Sequence, residues 1–127
     1  MVVLDASALL AALLGEAGAE RVDEVIDGAV MSTVNLAEVV GHFARTGADR
    51  DQVAQVLAAL PIRYEAPDEA LAIEAGMMRR DTDPLGFSLG DRFCLAQARR
   101  LAAVALTADR AWAAAAAPLG VEIQLIR

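Results

Sequence analysis

Short apolar runs alternate along this chain with longer segments of helical periodicity, and this alternation limits the possible folds more than any other feature. Strands are predicted at residues 2–4, 29–31, 62–64, 103–106 and 121–125. Helices are predicted at residues 8–14, 19–26, 35–45, 49–60, 68–80, 88–101 and 109–117, with a loop at 81–87. Strands that alternate with helices are typical of a parallel sheet whose faces are covered by helices. The pattern therefore predicts an α/β sandwich.

The chain is long and apolar enough to form one domain with a substantial core. It has 127 residues, of which 57% are hydrophobic, and we expect residues 1–127 to form a single domain. No segment has the roughly 18 charge-free apolar residues of a membrane span. The apolar start contains Asp5 and lacks the basic residues of a secretory signal. Because the only cysteine, Cys94, cannot form an internal disulfide, we expect a cytoplasmic protein.

The charged residues exclude several classes of chemistry. All 11 basic residues are arginines, so the lysine required by a P-loop or by Schiff-base catalysis is missing. The net charge of −7 argues by itself against a nucleic-acid-binding protein, because such proteins are usually basic. Acidic residues concentrated at a metal site would weaken that objection.

Four acidic residues lie where predicted strands and helices meet. Asp5 ends the first strand, Glu38 lies one turn into the helix after the second strand, and Asp91 lies in the first turn of the helix at 88–101. Asp109 follows the strand that this helix precedes. If the sheet is parallel, all four converge on its carboxyl edge, where open α/β sheets bind their ligands.

A purely structural role is open for each acid taken alone. The spacings from Asn35 to Glu38 and from Ser88 to Asp91 resemble capping boxes, and Asp5 and Asp109 could be helix N-caps. Four carboxylates at one edge would repel each other, however, unless a cation neutralised them. Mg²⁺ and similar hard cations prefer such oxygen ligands. With one histidine and one cysteine in the chain, a typical zinc site is almost excluded.

The motifs around these acids resemble those of PIN domains, and most closely those of the VapC-type toxins of type II toxin–antitoxin systems. The matching pieces are VVLDAS at 2–7, NLAEV at 35–39, SLGDRFCLA at 88–96 and LTAD at 106–109. Their order and spacing agree with the family over essentially the whole chain. The resemblance implies a three-layer α/β/α sandwich with a short parallel sheet.

The resemblance also implies a function. A PIN domain of this type would be an Mg²⁺- or Mn²⁺-dependent endoribonuclease in which metal-activated water cleaves RNA. Asp5, Glu38, Asp91 and Asp109 would be its catalytic and metal-site acids. Ser7 and Thr107 match the hydroxyl positions that support those acids, although local capping is an equal alternative for them. The resemblance further implies a homodimer and a small cognate antitoxin protein.

Other interpretations stay open at this point. Arg92 adjoins the predicted site and could contact RNA phosphate, or it could be an ordinary surface or ion-paired arginine. His42 is more typical of a structural histidine than of a general base, and a Cys94–His42 nucleophilic pair has little support. The main alternative function is a catalytically inactive PIN-like module that binds RNA or protein. The same acids could also cut DNA. A receiver or aspartyl phosphatase is disfavoured by the missing lysine and by Ser7, where a second aspartate is expected.

Overall fold

Five short parallel strands form one sheet in the computed structural model, which describes residues 1–127. The strands are β1 (Val2–Leu4), β2 (Val30–Ser32), β3 (Arg63–Glu65), β4 (Val104–Thr107) and β5 (Ile123–Leu125). Their order is β3-β2-β1-β4-β5, and every neighbouring pair is parallel. β1 is central, with Val3 opposite Val30 on one side and Ala105 on the other. The predicted short parallel sheet is confirmed.

Helices connect the strands and cover both faces of the sheet. They are α1 (Ala6–Leu14), α2 (Ala19–Asp23), α3 (Thr33–Arg45), α4 (Arg50–Ala59), α5 (Glu69–Met77), α6 (Arg79–Thr82), α7 (Leu89–Leu101) and α8 (Ala116–Leu119). Two 3₁₀ segments span Asp83–Leu85 and Arg110–Ala115. No helix combines the length and the apolar character that a bilayer crossing requires.

The strands are apolar on both faces, which produces two cores and therefore three layers. Along β1, Val3 packs in a core with α5 and α7, whereas the next residue, Leu4, packs in a second core with α1, α3 and α4. Successive side chains of a strand point to opposite faces, so two adjacent apolar residues supply both cores. The same alternation occurs in two other strands. The first core contains Val30 of β2 and Ala105 of β4, and the second core contains Met31 of β2 and Leu106 of β4. The three-layer α/β/α arrangement is confirmed.

Helix α3 begins two residues earlier than the sequence predicts. Strand β2 continues to Ser32, whose hydroxyl accepts a hydrogen bond from the backbone N–H of Val34 and so caps the helix. A serine in extended backbone geometry is a favoured N-cap. The predicted capping box between Asn35 and Glu38 is therefore wrong, because both residues lie inside α3.

Two further segments differ from prediction. The predicted loop at 81–87 contains the end of α6 and the 3₁₀ segment Asp83–Leu85, with Pro84 near its start and Gly86 after it in the left-handed region at φ 71°. The predicted helix at 109–117 is largely a 3₁₀ segment. Its alanine content favours helix but does not distinguish i→i+3 from i→i+4 bonding.

Candidate functional site

The carboxyl edge of the sheet brings together the acids predicted from the sequence. Asp5 follows β1, Glu38 lies in the N-terminal half of α3, and Asp91 lies in the first turn of α7. Burial is the main cause that raises the pKa of Asp5 and of Glu38, and the charge of Asp91 raises both further. Burial also raises the pKa of Asp91, and the charge of Asp109, which follows β4, raises it further.

Asp5 is the most deeply placed of the four acids, with only 4% of its surface exposed. Burial raises its pKa most strongly, because a carboxylate that has lost water is less stable in its charged form. Two hydroxyl groups oppose this effect by donating to the same oxygen, Oδ2. Ser7 Oγ donates at 2.6 Å and Thr107 Oγ1 at 2.9 Å. Asp5 occupies the N-cap position of α1, but its side chain makes no capping hydrogen bond.

Ser7 and Thr107 are themselves held by backbone donors from the segment after β4. The N–H of Ala108 donates to Ser7 Oγ at 2.9 Å, and that of Asp109 donates to Thr107 Oγ1 at 3.1 Å. The two hydroxyl oxygens lie 3.2 Å apart. These contacts connect the end of β4 to the Asp5 carboxylate and fix the orientation of Oδ2.

Asp91 and Asp109 combine a capping role with a place at the edge. Oδ2 of Asp91 accepts from the N–H of Ser88 at 2.9 Å, and the Asp91 N–H donates to Ser88 Oγ, so the predicted capping box at Ser88 is present. Oδ1 of Asp109 caps the following segment by accepting from the N–H of Ala111. Each carboxylate retains a second oxygen that no protein donor bonds.

The Glu38 carboxylate lies against the first turn of α7 although much of the residue is open to solvent. A methyl group at Gly90 would overlap with Glu38 Oε1, so the two are in close contact. Partial desolvation there raises the pKa of Glu38, and the charges of Asp5 and Asp91 raise it further. Asn35, one turn earlier in α3, opposes the effect through a 3.4 Å hydrogen bond from Nδ2 to Glu38 Oε2.

No arginine forms a salt bridge with any of the four acids, although five such pairs occur elsewhere. Arg92, the nearest arginine in sequence, is buried at 8% exposure, and its Nη1 donates to the carbonyl of Phe87 at 3.1 Å. Its charge lowers the pKa of Asp91, against the burial that raises it. A phosphate contact by Arg92 stays a prediction, and it would require the guanidinium to leave this position.

The donor set fits a hard divalent cation. It consists of carboxylate oxygens whose charges oppose one another, with no protein cation paired to them. No three acid, histidine or cysteine side chains stand close enough to ligate one ion directly. Mg²⁺ commonly binds through one or two carboxylates and keeps several waters, so direct ligation by every acid is not required.

Cys94 and His42 do not join this site. The Cys94 thiol is completely buried beneath the edge, and burial together with the negative charge of Asp5, Asp91 and Glu38 raises its pKa well above the ordinary value. A protonated, inaccessible thiol is a poor nucleophile. His42 lies in the last turn of α3 and packs edge-on against Phe43.

Asn35 and Gly90 also lie at this edge, although no sequence motif predicts them there. Asn35 is completely buried, and its Nδ2 donates to the carbonyl of Gly90 at 3.0 Å. Asparagine and glycine both have low helix propensity, yet each lies in a helix within three residues of a predicted site acid. That signal alone does not identify the partner of either residue.

A second surface feature lies at the other end of α1 and α3. Leu13, near the end of α1, and Phe43, near the end of α3, line an apolar groove of about 210 Å³ together with Val53, Val56 and Leu57 of α4. Val56 is 47% exposed there.

Comparison with known proteins agrees with the family resemblance. The model of a family described as the PIN domain matches residues 2–118. No curated protein matches the chain in sequence.

Several solved structures share its fold. Mycobacterium tuberculosis VapC20, described as a Sarcin-Ricin loop cleaving toxin, superposes with a TM-score of 0.72 at 22% identity, covering 91% of this chain and 95% of that one. A toxin–antitoxin complex from Klebsiella pneumoniae gives 0.75 at 15% identity, with 100% and 98% covered. DNA-bound VapBC from Salmonella typhimurium gives 0.74 at 17%, with 99% and 98% covered.

Proposed function

This chain belongs to the PIN domain family, whose model spans nearly all of it, and on that premise we propose that it is an Mg²⁺- or Mn²⁺-dependent endoribonuclease acting as the toxin of a type II toxin–antitoxin pair. The observation that most supports this proposal is that Asp5, Glu38 and Asp91 converge at one sheet edge and that no arginine forms a salt bridge with them. Such a cluster has little structural value without a cation, since its charges repel. We also propose that residues 1–127 act as a single domain.

The four acids would hold the cation between them, some directly and the others through bound water, since no three stand close enough to ligate one ion directly. Asp5 is the most rigidly oriented, because the hydroxyls of Ser7 and Thr107 fix Oδ2. Asp91 and Asp109 would each use the oxygen that is free of capping bonds. A bound Mg²⁺ or Mn²⁺ supplies activation of water for attack on the phosphodiester and stabilises charge on the leaving oxygen.

RNA is the proposed substrate on the strength of the fold shared with VapC20, which is described as cleaving the Sarcin-Ricin loop. The acidic net charge makes tight binding of long nucleic acid through the protein surface alone unfavourable. Recognition would therefore depend on the cation and on the shape and unpaired bases of an RNA loop.

We propose two protein partners as well. The apolar groove between α1, α3 and α4 is suited to an apolar segment of a small antitoxin, and solved complexes with this fold contain such a partner. Ile73 and Met77 lie one turn apart on α5 and are both about half exposed, at 57% and 46%, which is suited to a homodimer contact. The buried free thiol of Cys94 is compatible with the cytoplasm.

The decisive experiment is cleavage of total cellular RNA by antitoxin-free protein with Mg²⁺, with Mn²⁺ and with chelator. Asp5→Asn is the test variant, and Asp27→Asn, which changes an exposed acid in a distant turn, is the matched control. Discrete products that require metal and are absent with Asp5→Asn support the proposal. A folded protein that binds RNA but cuts it in neither metal would instead favour the inactive binding module.

A further inference from the structure

Helices α3 and α7 belong to opposite layers of the sandwich, yet they meet at the carboxyl edge through Asn35, Gly90 and Glu38. We propose that Asn35 and Gly90 form a seat that positions the Glu38 carboxylate for cation binding, and we call this pair the Glu38 seat. The inference rests on the proposed function, because it assigns the cation as the group that Glu38 serves. Neither residue would touch the ion, so both are positioning residues.

Gly90 makes room for the carboxylate. Any side chain at this position would place its Cβ in overlap with Glu38 Oε1. The backbone of Gly90 is ordinary helix, so the conformational freedom of glycine is not what the position needs. Glycine also disfavours helix relative to alanine. What the missing Cβ provides here is space for the Glu38 carboxylate beside the first turn of α7.

Asn35 supplies the other half of the seat. Its Nδ2 donates both to the carbonyl of Gly90 at 3.0 Å and to Glu38 Oε2 at 3.4 Å. Because both acceptors lie on the same side of the Asn35 amide, its nitrogen must face them. The amide oxygen Oδ1 is then buried without a hydrogen-bond partner. An unpaired buried oxygen is unfavourable for folding. We therefore infer that the Asn35 amide serves to hold the Glu38 carboxylate and helix α7 in fixed positions relative to α3, and not to stabilise the core.

The seat determines the relation between two of the acids. Gly90 directly precedes Asp91, and Asn35 lies three residues before Glu38 in α3. Holding Glu38 against Gly90 thus fixes its carboxylate relative to that of Asp91, although the two acids come from different layers. Outer contacts of this kind change metal affinity by roughly 10–100-fold when they are removed.

The test measures Mn²⁺ affinity of the protein alone by the loss of the free-ion electron paramagnetic resonance signal. Gly90→Ala is expected to weaken binding about tenfold or more. In a Glu38→Asp background the carboxylate is one methylene shorter and should no longer reach the added Cβ, so the same change should cost less than about twofold, well under that range. Gly41→Ala is the matched control, because it lies on α3 with nothing within 4 Å of an added Cβ and should leave affinity unchanged.

Asn35→Ala provides an independent variant, with the same expected loss and the same dependence on Glu38. Equal losses in both backgrounds would mean that Gly90 and Asn35 act through general structure, and would overturn the seat while leaving the proposed function intact. A wild-type protein that binds no Mn²⁺ would overturn both. If Gly90→Ala alone does not fold, recovery of folding in the double variant with Glu38→Asp supports the contact, and continued misfolding overturns it.

Discussion

The two ends of helices α1 and α3 are built for opposite kinds of contact. Towards their N-terminal ends, Asp5 and Glu38 contribute to a cluster of carboxylates that form no salt bridge with a protein cation. At their C-terminal ends, Leu13 and Phe43 line an apolar groove. Neither end is arranged for maximum stability, since repelling carboxylates and exposed apolar groups are both unfavourable in water. Under the proposed function, the same two helices would provide a site for a cation and, separately, a surface for a protein.

The largest expected effect separates activity from stability at the acidic end. Asp5→Asn should lower RNA cleavage by at least about 100-fold, since even outer contacts to a metal change activity by 10–100-fold. In chelator it should raise the free energy of unfolding at neutral pH. The folded-state pKa of Asp5 is raised, so its charged form opposes folding above that pKa, and asparagine removes the charge.

Cleavage assays and thermal unfolding in chelator check both parts of this prediction. Asp27→Asn should change neither quantity. A variant that loses stability and keeps its activity would show that Asp5 belongs to the core and not to a cation site.

At the apolar end, Val56→Asp should weaken antitoxin binding by about tenfold or more, the scale of a significant interface residue. RNA cleavage by the free protein should be unchanged, because the groove lies at the far end of α1 and α3. Ala72→Asp, at an exposed position of α5 outside the groove, is the control and should leave antitoxin affinity unchanged. Titration of the purified pair by calorimetry measures the difference, and a loss of cleavage in Val56→Asp would contradict the separation of the two ends.

A smaller effect is expected from the hydroxyls that support Asp5. Thr107→Val keeps the shape of a completely buried side chain but removes two hydrogen bonds, the one donated to Oδ2 of Asp5 and the one accepted from the N–H of Asp109. Cation affinity should fall about tenfold, within the range for outer contacts. The exposed Thr46→Val is the control. Mn²⁺ titration is the measurement, and an unchanged affinity would assign Thr107 to local structure alone.

The smallest effect is expected at an acid that does have a cationic partner. Arg100 donates two hydrogen bonds to Asp68 and lowers the pKa of that carboxyl from 3.8 to about 2. A lowered pKa stabilises the fold above the unfolded value and ceases to do so as the pH falls towards the folded one. Asp68→Asn should therefore lower stability slightly above pH 3.8 and much less at pH 2. Denaturant unfolding at both pH values tests this, and an equal difference at both would contradict it.

The features that the sequence predicted correctly are those set by local pattern and by the parallel sheet. Apolar runs gave the strands, and the carboxyl edge of a parallel sheet brings together acids that follow strands or begin helices. The Ser88–Asp91 capping box was also predictable, because both its partners lie in one turn.

The features that the sequence does not predict are contacts between residues far apart in the chain and the directions in which side chains point. The bond from Asn35 to Gly90 joins residues 55 positions apart and in different layers, so no local pattern shows it. The spacing from Asn35 to Glu38 resembles a capping box in sequence, but β2 pairs with β3 as far as Ser32, so the helix is capped there instead. Arg92 adjoins a site acid in sequence, but its side chain turns towards the carbonyl of Phe87.

Asp91 and Asp109 each form a capping hydrogen bond and also contribute a charge to the proposed site. This double role affects what an inactivating mutation in the gene for this protein would do. A single base change turns an aspartate codon into an asparagine codon. The asparagine side-chain oxygen can accept the same backbone hydrogen bond that Asp109 accepts from Ala111. The mutated copy would fold and present its groove, yet lack a site charge. Under the proposed function, the mutated protein would still bind the antitoxin. In a cell that also makes the intact toxin, it would compete for the antitoxin and so release the intact toxin from inhibition.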